Sequence, residues 1–320
     1  MHPLLSLRTI WKILKQASLD FIEDKVFKLS AALAFYTIFS LPAMLIIIIA
    51  VSDIFYGRQA IEGTIYGQIA GFVGNDAAIQ IQQTIRSAAL SRQAGFATFV
   101  GLVTLIVGAT SVFGEIQDSI NSIWKLKPKP KRGWLKILIN RLISFSMVVC
   151  LGFFLMVSLL INGLMDIVIH KLTELFPGLA VPAFYGFNLL LTFVITAFLF
   201  AIIFKFLPDA KIRWNQVRAG AFATALLFLM GKFLIGYYLG HSRLSSAYGA
   251  AGSVIVILLW VYYSAMILYF GAEFTRVYAL QSGSRIYPDD YAVWVEQIEI
   301  EAKISLVERQ EGKSGRSVEE

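Results

Sequence analysis

The sequence predicts an all-α, polytopic membrane protein with six transmembrane helices. Its 320 residues are 57% hydrophobic and only 15% charged, whereas about 25% of the residues of soluble domains are charged. In addition, six separate segments stay apolar over roughly twenty residues, the length of helix that crosses the ~30 Å hydrocarbon core of a bilayer. A soluble fold could not bury this much apolar surface, so the two observations together exclude a soluble protein.

The predicted spans leave a basic segment before them and a tail after them. We divide the chain into an N-terminal basic amphipathic segment (1–29), a six-helix transmembrane domain (30–279) and a partly disordered cytoplasmic tail (280–320). The sixth span carries no charged residue from Ser253 to Ala272 and then reaches Glu273. The spans are Ala31–Val51, Gly95–Gly114, Ile137–Leu160, Phe184–Phe206, Ala219–Leu239 and Ser253–Thr275.

The N-terminal segment has the pattern of a basic amphipathic helix. Its apolar residues fall mostly at helical spacing, while Arg8, Lys12 and Lys15 occupy other positions. The apolar residues are Leu7, Ile10, Trp11, Leu14, Phe21 and Ile22. The pattern predicts a helix that lies on the anionic inner leaflet, so membrane lipids are the predicted partners. It acts either as a topology anchor or as a regulatory, lipid-sensing element.

Further helical segments are predicted outside the bilayer. Between Asp53 and Gln93, apolar residues recur every three to four positions on either side of Gly74. This spacing predicts two short amphipathic extracytoplasmic helices. In the tail, Tyr291–Val307 has the pattern of an acidic amphipathic helix, and the chain from Gly312 onward is polar and small.

The distribution of Lys and Arg predicts the orientation. If both basic interhelical loops, Lys125–Lys136 and Lys205–Arg218, face the cytoplasm, then both termini do so as well. This topology places 21 of the 28 Lys and Arg residues on the cytoplasmic side and five on the other side. Such an asymmetry is typical of the positive-inside rule, so we predict that both termini are cytoplasmic.

The polar residues do not predict an enzyme. The chain has one cysteine, Cys150, and three scattered histidines, so no disulfide, metal site or cofactor is predicted. Metal-dependent phosphodiester cleavage needs clustered carboxylates or histidines, and the sequence has no such cluster. The basic loop Lys125–Lys136 could attract RNA, but a contact with the inner leaflet explains it more simply. We therefore predict no catalytic residue and no nucleic-acid partner.

Lys232 is the first candidate for a functional residue, because it lies near the middle of the fifth span. A charge at that depth costs about 2.5–3.5 kcal/mol on insertion scales, so it should face the bundle interior or water. Its partner would be a lipid phosphate, an anionic substrate or a backbone carbonyl. The alternative is that the amine extends along its own stem toward the interface.

Three acids form the second candidate group. Glu115 and Asp118 are one helical turn apart at the predicted cytoplasmic end of the second span, and Glu273 reaches a similar depth in the sixth. They could relay protons or coordinate a cation. Alternatively, they pair with Arg276, Lys125 or Arg141 and hold the helix ends in place.

Other positions favour bending or close packing. Pro42 lies inside the first span and predicts a kink near Ile38, which either fits the packing or acts as a hinge. Small residues where helices can approach closely are Gly231, Gly236, Gly249, Gly252 and Gly271. Three tyrosines lie too deep for one interfacial belt, so some of them should form hydrogen bonds inside the bundle: Tyr262, Tyr263 and Tyr269.

Three stretches resemble the YihY/BrkB-like family of bacterial inner-membrane proteins, once mislabelled as ribonuclease BN. They are Ala31–Pro42 (AALAFYTIFSLP), Phe113–Trp124 (FGEIQDSINSIW) and Tyr248–Glu273, which begins YGAAGS and ends GAE. The resemblance implies a six-helix fold in the bacterial inner membrane with both ends cytoplasmic. The family's transport or virulence-related roles are only suggested, and the resemblance implies no substrate and no catalytic residue.

The residues favour two functions. The first is a transporter or flippase-like protein for a lipid, an anionic solute or an ion, supported by Lys232, the acids, the kinked first span and the basic N-terminal helix. The alternative is a non-transporting membrane scaffold or envelope-integrity protein that acts through partners or as a homo-oligomer.

Overall fold

The computed structural model describes residues 7–38, 40, 111–129, 180–241, 250–284, 286–290 and 292–295. These residues are predominantly helical, as predicted. The helices are α1 (Leu7–Glu23), α2 (Val26–Ile38), α3 (111–123), α4 (Ala180–Phe206), α5 (Trp214–His241) and α6 (Ala250–Gln281). The short strands are β1 (Leu126–Pro128), β2 (Ala210–Lys211), β3 (Tyr287–Pro288) and β4 (Ala292–Trp294).

Three of the described helices are long and apolar enough to cross a membrane. The candidate spans are Gly186–Phe206 in α4, Trp214–Tyr238 in α5 and Val254–Gln281 in α6, and they correspond to the last three predicted spans. Helix α2 is a shorter apolar helix at the start of the first predicted span. Apart from Ser40, the rest of that span lies outside the described residues. So do residues 95–110 of the second span, the third span, the extracytoplasmic helices, Pro42 and Gly249.

Helix α5 packs against both α4 and α6. Aromatic edges join α4 to α5, with ring centroids 5.0 Å apart for Phe193 and Phe222 and 5.8 Å apart for Phe200 and Phe228. Such edge-to-face pairs contribute beyond their buried area, which matters in lipid because the hydrophobic effect does not drive one apolar helix onto another.

Helices α5 and α6 meet through two matched Gly/Thr pairs. The Thr224 hydroxyl donates to the Gly220 carbonyl at 2.7 Å, and the Thr275 hydroxyl donates to the Gly271 carbonyl at 2.6 Å. Each threonine lies against the glycine of the other helix, so a Cβ atom at Gly220 or Gly271 would overlap it. The antiparallel helices therefore need glycine at both positions.

The two glycines predicted as close-packing positions in the second half of α5 differ in their surroundings. At Gly231 a Cβ atom would lie 2.6 Å from Ile267 Cδ1, which makes it a close-packing position. At Gly236 a Cβ atom would meet no atom of the described residues within 4 Å. The expectation that Gly236 packs closely is therefore not met in the part of the chain that is described. Gly252 is buried in the first turn of α6.

The chain after α6 pairs with both interhelical loops. Strand β1 is antiparallel to β4, and β2 is antiparallel to β3. The Val295 amide donates to the Lys125 carbonyl at 2.9 Å, and the Asp289 amide donates to the Asp209 carbonyl at 3.0 Å. We call the region formed by α1, residues 124–129, 207–213 and 282–295 the charged end of the molecule.

Of two sequence predictions for the charged end, one is wrong and the other is supported. The acidic helix expected from Tyr291 begins instead as strand β4, because the backbone of Ala292–Trp294 pairs with β1; residues 296–307 lie outside the described range. The N-terminal helix, both basic loops and the C-terminal segment share one end of the bundle, as the charge distribution predicts. The side of the membrane that this end faces stays a prediction.

Helix α1 packs against α6 with only part of its surface. Ile13 and Ala17 are buried against Val277 near the end of α6. Trp11 and Ile22, on another face, are 70% and 66% exposed. The apolar surface of α1 is therefore wider than the strip that contacts α6. One part of it packs against α6, and another part faces outward.

Candidate functional site

Arg276, in the last two turns of α6, is the centre of an ion network at the charged end. Its Nη1 donates to the Ile123 carbonyl at 2.8 Å and lies 3.3 Å from Glu273 Oε2 and 3.2 Å from Asp24 Oδ2. Its Nη2 lies 3.6 Å from Asp20 Oδ2. One guanidinium therefore joins the ends of α1, α3 and α6, which its five donors on a planar fork allow.

The two aspartates come from the end of α1. The Gln16 amide donates to Asp20 Oδ1 at 2.7 Å, and Asp24 also pairs with the Lys125 ammonium at the end of α3. Both aspartate side chains are only 10% exposed. The carboxylates are therefore largely removed from water, and their charges depend on Arg276 and Lys125 for compensation.

Lysines in a left-handed conformation end both α1 and α3. Lys25 has φ 55° and Lys125 has φ 58°. In this position, which helices usually give to glycine, a residue with a side chain costs roughly 1–2 kcal/mol. Asp24 and Lys125 meet at these two turns.

Glu273 is the most buried member of the network, with an exposed fraction of 0%. Its Oε2 faces Arg276, whereas its Oε1 has no hydrogen-bond partner among the described residues. The Trp124 indole covers the same turn of α6 by donating to the Ala272 carbonyl at 3.0 Å. The described network thus contains three carboxylates against two cations, and one carboxylate oxygen is left without a donor.

The structure places the other two predicted acids differently. Asp118 is exposed and lines a cleft at the charged end. Glu115 is half-buried on α3, near Ser119 and the Tyr269 ring of α6. The acids that Arg276 joins to Glu273 are instead Asp20 and Asp24, which the sequence analysis did not single out. The pair between Glu273 and Arg276 was one of its alternatives.

Lys232 lies at a different depth in the helix bundle from the ion network. It is half-buried on the face of α5 that also carries Ala225, Phe228 and Leu229, so it is directed toward packed neighbours. The adjacent Gly231 contacts Tyr263 and Ile267 of α6. At 1.5 Å per residue, this level is roughly 12 Å along α6 from Glu273. Lys232 and the ion network are therefore separate features.

A polar clamp that the sequence analysis missed lies beside the network. The Asp209 carboxylate accepts from Gln117 Nε2 at 3.3 Å and from Asn121 Nδ2 at 3.1 Å, and the Asp209 amide donates to Asn121 Oδ1 at 2.9 Å. Gln117 and Asn121 are four residues apart and buried on α3. Two amide side chains at this spacing on an apolar helix are the signal that could have revealed a contact between one face of α3 and a loop.

A second ion pair at the charged end is fully solvated. Lys211 on β2 contacts Asp290 at 2.6 Å and Asp289 at 3.4 Å. The contact with Asp290 raises the pKa of Lys211, and the ammonium lowers the pKa of Asp290. Because both side chains are exposed, the pair contributes little to stability.

Among the described residues no group of three or more His, Cys, Asp or Glu is placed to hold a metal ion.

The apolar helices and the buried charge between them define a helical membrane protein. The family model of Virulence factor BrkB matches residues 17–291, so the chain belongs to this family. The match includes every member of the ion network. It confirms the family resemblance drawn from the sequence.

The curated relatives are UPF0761 membrane proteins. That of Tolumonas auensis is 29% identical over 186 residues, which are 58% of each chain. That of Pseudomonas paraeruginosa is 26% identical over 257 residues, 79% of this chain and 59% of the relative. The chain thus spans less than three fifths of the length of these relatives. No solved structure matches it.

Proposed function

We propose that the chain is a transporter or flippase-like protein for a lipid, an anionic solute or an ion in the bacterial inner membrane. One observation carries the proposal: Glu273 is wholly buried in a helix of membrane-spanning length, and its Oε1 has no hydrogen-bond partner among the described residues. Ionisable groups inside spanning helices are costly and are found mainly where they serve a pathway.

The charges around Glu273 support a coupling role for it. When all three are ionised, Asp20, Asp24 and Glu273 carry one more negative charge than Arg276 and Lys125 neutralise. A proton or a small cation at Oε1 would balance the network. Its arrival and departure would change how strongly Arg276 is held to the end of α1, which is the kind of change that alternating access needs.

Lys232 supports a polar route deeper in the bundle. Its half-buried position on the packed face of α5 favours the interior over the lipid. Between its depth and that of Glu273, α6 presents the buried Tyr269, whose hydroxyl has no hydrogen-bond partner among the described residues. Polar groups at successive depths are what a solute or proton path through an apolar bundle requires.

The test is flux in proteoliposomes that contain the purified full chain. Three probes are followed: translocation of a fluorescent phosphatidylglycerol, uptake of radioactive phosphate, and proton entry reported by a trapped dye. We expect flux of at least one probe above protein-free vesicles, and a loss of about tenfold or more in Glu273→Gln and Lys232→Met. The matched control is Asp290→Asn, which removes a carboxylate that is 76% exposed at the same end.

Melting temperature and yield in the membrane fraction establish that the variants fold and insert. Wild-type flux in both Glu273→Gln and Lys232→Met would contradict the proposal. So would a wild-type protein that moves none of the three probes. The proposal includes no enzymatic step.

The alternative is a non-transporting scaffold, and one observation favours it: the ion network joins three chain segments entirely within the molecule. A scaffold that recruits partners through its tail should lose its effect in cells when residues 296–320 are deleted. A transporter should retain flux in the same variant. The deletion leaves β3 and β4 in place, because removing them would also release the interhelical loops.

A further inference from the structure

A cleft of about 520 Å³ opens at the charged end between the start of α2, the end of α3 and β1. Four lysines line it: Lys25, Lys28, Lys125 and Lys127. Lys125 is paired with Asp24, whereas Lys25, Lys28 and Lys127 are exposed. The cleft therefore offers three solvated ammonium groups within one concave site.

The other lining groups leave room for an anion. Three carboxylates also line the cleft: Asp24, which pairs with Lys125, and the exposed Glu23 and Asp118. Asn121 and Ser122 add polar groups to the wall. Lys28 stands in the first turn of α2, where the helix dipole adds positive potential to that of the ammonium groups. Four ammonium groups against three carboxylates leave one net positive charge, so the cleft favours a group with one negative charge.

The cleft lies beside the outward apolar face of α1. Trp11 and Ile22 point away from the protein, and the next exposed apolar residue is Phe27, which lies between the cleft residues Lys25 and Lys28. On α1, the basic residues Arg8, Lys12 and Lys15 lie next to this face. Apolar side chains bordered by cations are typical of a surface at the boundary between acyl chains and headgroups. The cleft should therefore open at headgroup depth.

Backbone conformation gives independent support for a binding role of this cleft. Lys25 and Lys125 both adopt left-handed φ values, at positions where glycine would be unstrained. Both side chains line the same cleft. Strain that is concentrated in two residues of one cavity is typical of a binding site.

We propose that this cleft binds the phosphate of an anionic lipid headgroup from the leaflet that faces the charged end. Lys25, Lys28 and Lys127 would contact the phosphate oxygens, while the acyl chains would lie along Phe27 and the outward face of α1. This lipid would be a bound component that holds α1 at the membrane. The proposal does not depend on transport and applies equally to a scaffold.

Native mass spectrometry of the full chain in detergent tests the proposal, with phosphatidylglycerol and phosphatidylcholine as probes. We expect wild type to retain phosphatidylglycerol in preference to phosphatidylcholine. Each lysine near an anionic surface contributes a factor of about five in affinity, so Lys25→Gly/Lys28→Gln/Lys127→Gln should retain at least tenfold less phosphatidylglycerol. The matched control is Lys211→Gln, which removes an exposed lysine on β2 and should retain the wild-type amount.

Lys25→Gly alone separates binding from folding. Glycine adopts φ 55° without strain, so this variant should melt no lower than wild type and yet bind phosphatidylglycerol less tightly. A second comparison, Lys12→Gln/Lys15→Gln, removes two cations from α1 and leaves the cleft intact. It should lose less binding than the triple cleft variant.

Three results would overturn the proposal. The first is unchanged lipid retention in the triple variant. The second is an equal loss in Lys12→Gln/Lys15→Gln, which would place the lipid on the surface of α1. The third is displacement of the lipid by millimolar inorganic phosphate or glycerol phosphate, which would make the cleft a site for a free anion.

Discussion

At the scale of single residues, Arg276 combines more interactions than any other side chain in the ion network. It contacts three carboxylates and the carbonyl that ends α3, and its side chain is only 19% exposed. A buried ion pair gains little over an apolar replacement, but the loss of one partner leaves the other charges uncompensated. The stability of the charged end should therefore be sensitive to the cation and less sensitive to any single acid.

The first prediction is that Arg276→Gln lowers the stability of the protein by about 3–5 kcal/mol, the usual cost of breaking a buried ion pair. Glutamine reaches fewer acceptors and leaves three carboxylates against one cation. Thermal unfolding in detergent measures the change. The stability of Arg276→Lys should lie between those of wild type and Arg276→Gln, because lysine keeps the positive charge but lacks the planar guanidinium.

Arg218→Gln is the control for this prediction. Arg218 is exposed and donates to Asn215 in the same helical turn. Its replacement should change stability by no more than about 0.5 kcal/mol. Equal melting temperatures for Arg276→Gln and wild type would show that the network does not stabilise the charged end.

Sequence reasoning identified Glu273 and offered Arg276 as a possible partner, but it did not identify the two aspartates that join them. An acid at the end of an apolar run stands out, because lipid does not tolerate it. Asp20 and Asp24 are ordinary acids on an amphipathic helix, and Asp24 is 252 positions away from Arg276 along the chain. Only the packing of α1 on α6, through Ile13 and Ala17, brings them together. No local pattern carries that information.

At the scale of helices, the contact between α5 and α6 depends on small residues more than on apolar area. Thr224 and Thr275 satisfy their hydroxyls on their own helices, so their remaining surface can pack against Gly271 and Gly220 without an unsatisfied polar group. Spacing of Gly and Thr by four residues on two successive spans is visible in the sequence. Their mutual register is not, because it depends on the loop that joins the helices.

The second prediction concerns this contact. Gly271→Ala places a methyl group against Thr224 and should destabilise the protein by about 1–3 kcal/mol, the usual cost of overpacking. Thr224→Ala removes the two nearest obstructing atoms, Oγ1 and Cγ2, but keeps Cβ, so the double variant Gly271→Ala/Thr224→Ala should recover part of the loss. Thermal unfolding of the four proteins in one detergent gives the coupling energy.

Gly236→Ala is the matched control on α5. A Cβ atom there meets nothing within 4 Å among the described residues, so the variant should be neutral or slightly more stable, as alanine favours a helix by roughly 0.5–1 kcal/mol over glycine. If the losses in the two single variants of the Gly271/Thr224 pair were simply additive, the close contact between them would be contradicted.

At the scale of the whole molecule, the segment after α6 organises the charged end. It adds β4 to the loop after α3 and β3 to the loop after α4, so one segment of the chain joins both loops. From the sequence, this segment is predicted to be a cytoplasmic tail that contains the start of a helix. Strands of two or three residues are too short to produce a detectable periodicity. The prediction that both loops and both termini lie on the same side of the membrane came from the distribution of Lys and Arg, which can be counted without knowing any tertiary contact.

The last prediction tests that placement and its orientation together. Lys127 and Val293 are direct partners in the β1–β4 ladder, so they must face the same side of the membrane. In a Cys150→Ser background, Lys127→Cys and Val293→Cys should react with an impermeant maleimide only after the cells are lysed. Arg92→Cys, on the predicted outer side, should react in intact spheroplasts. Opposite labelling of Lys127→Cys and Val293→Cys would contradict the strand pairing, whereas labelling of both in intact spheroplasts would keep the pairing and reverse the predicted orientation.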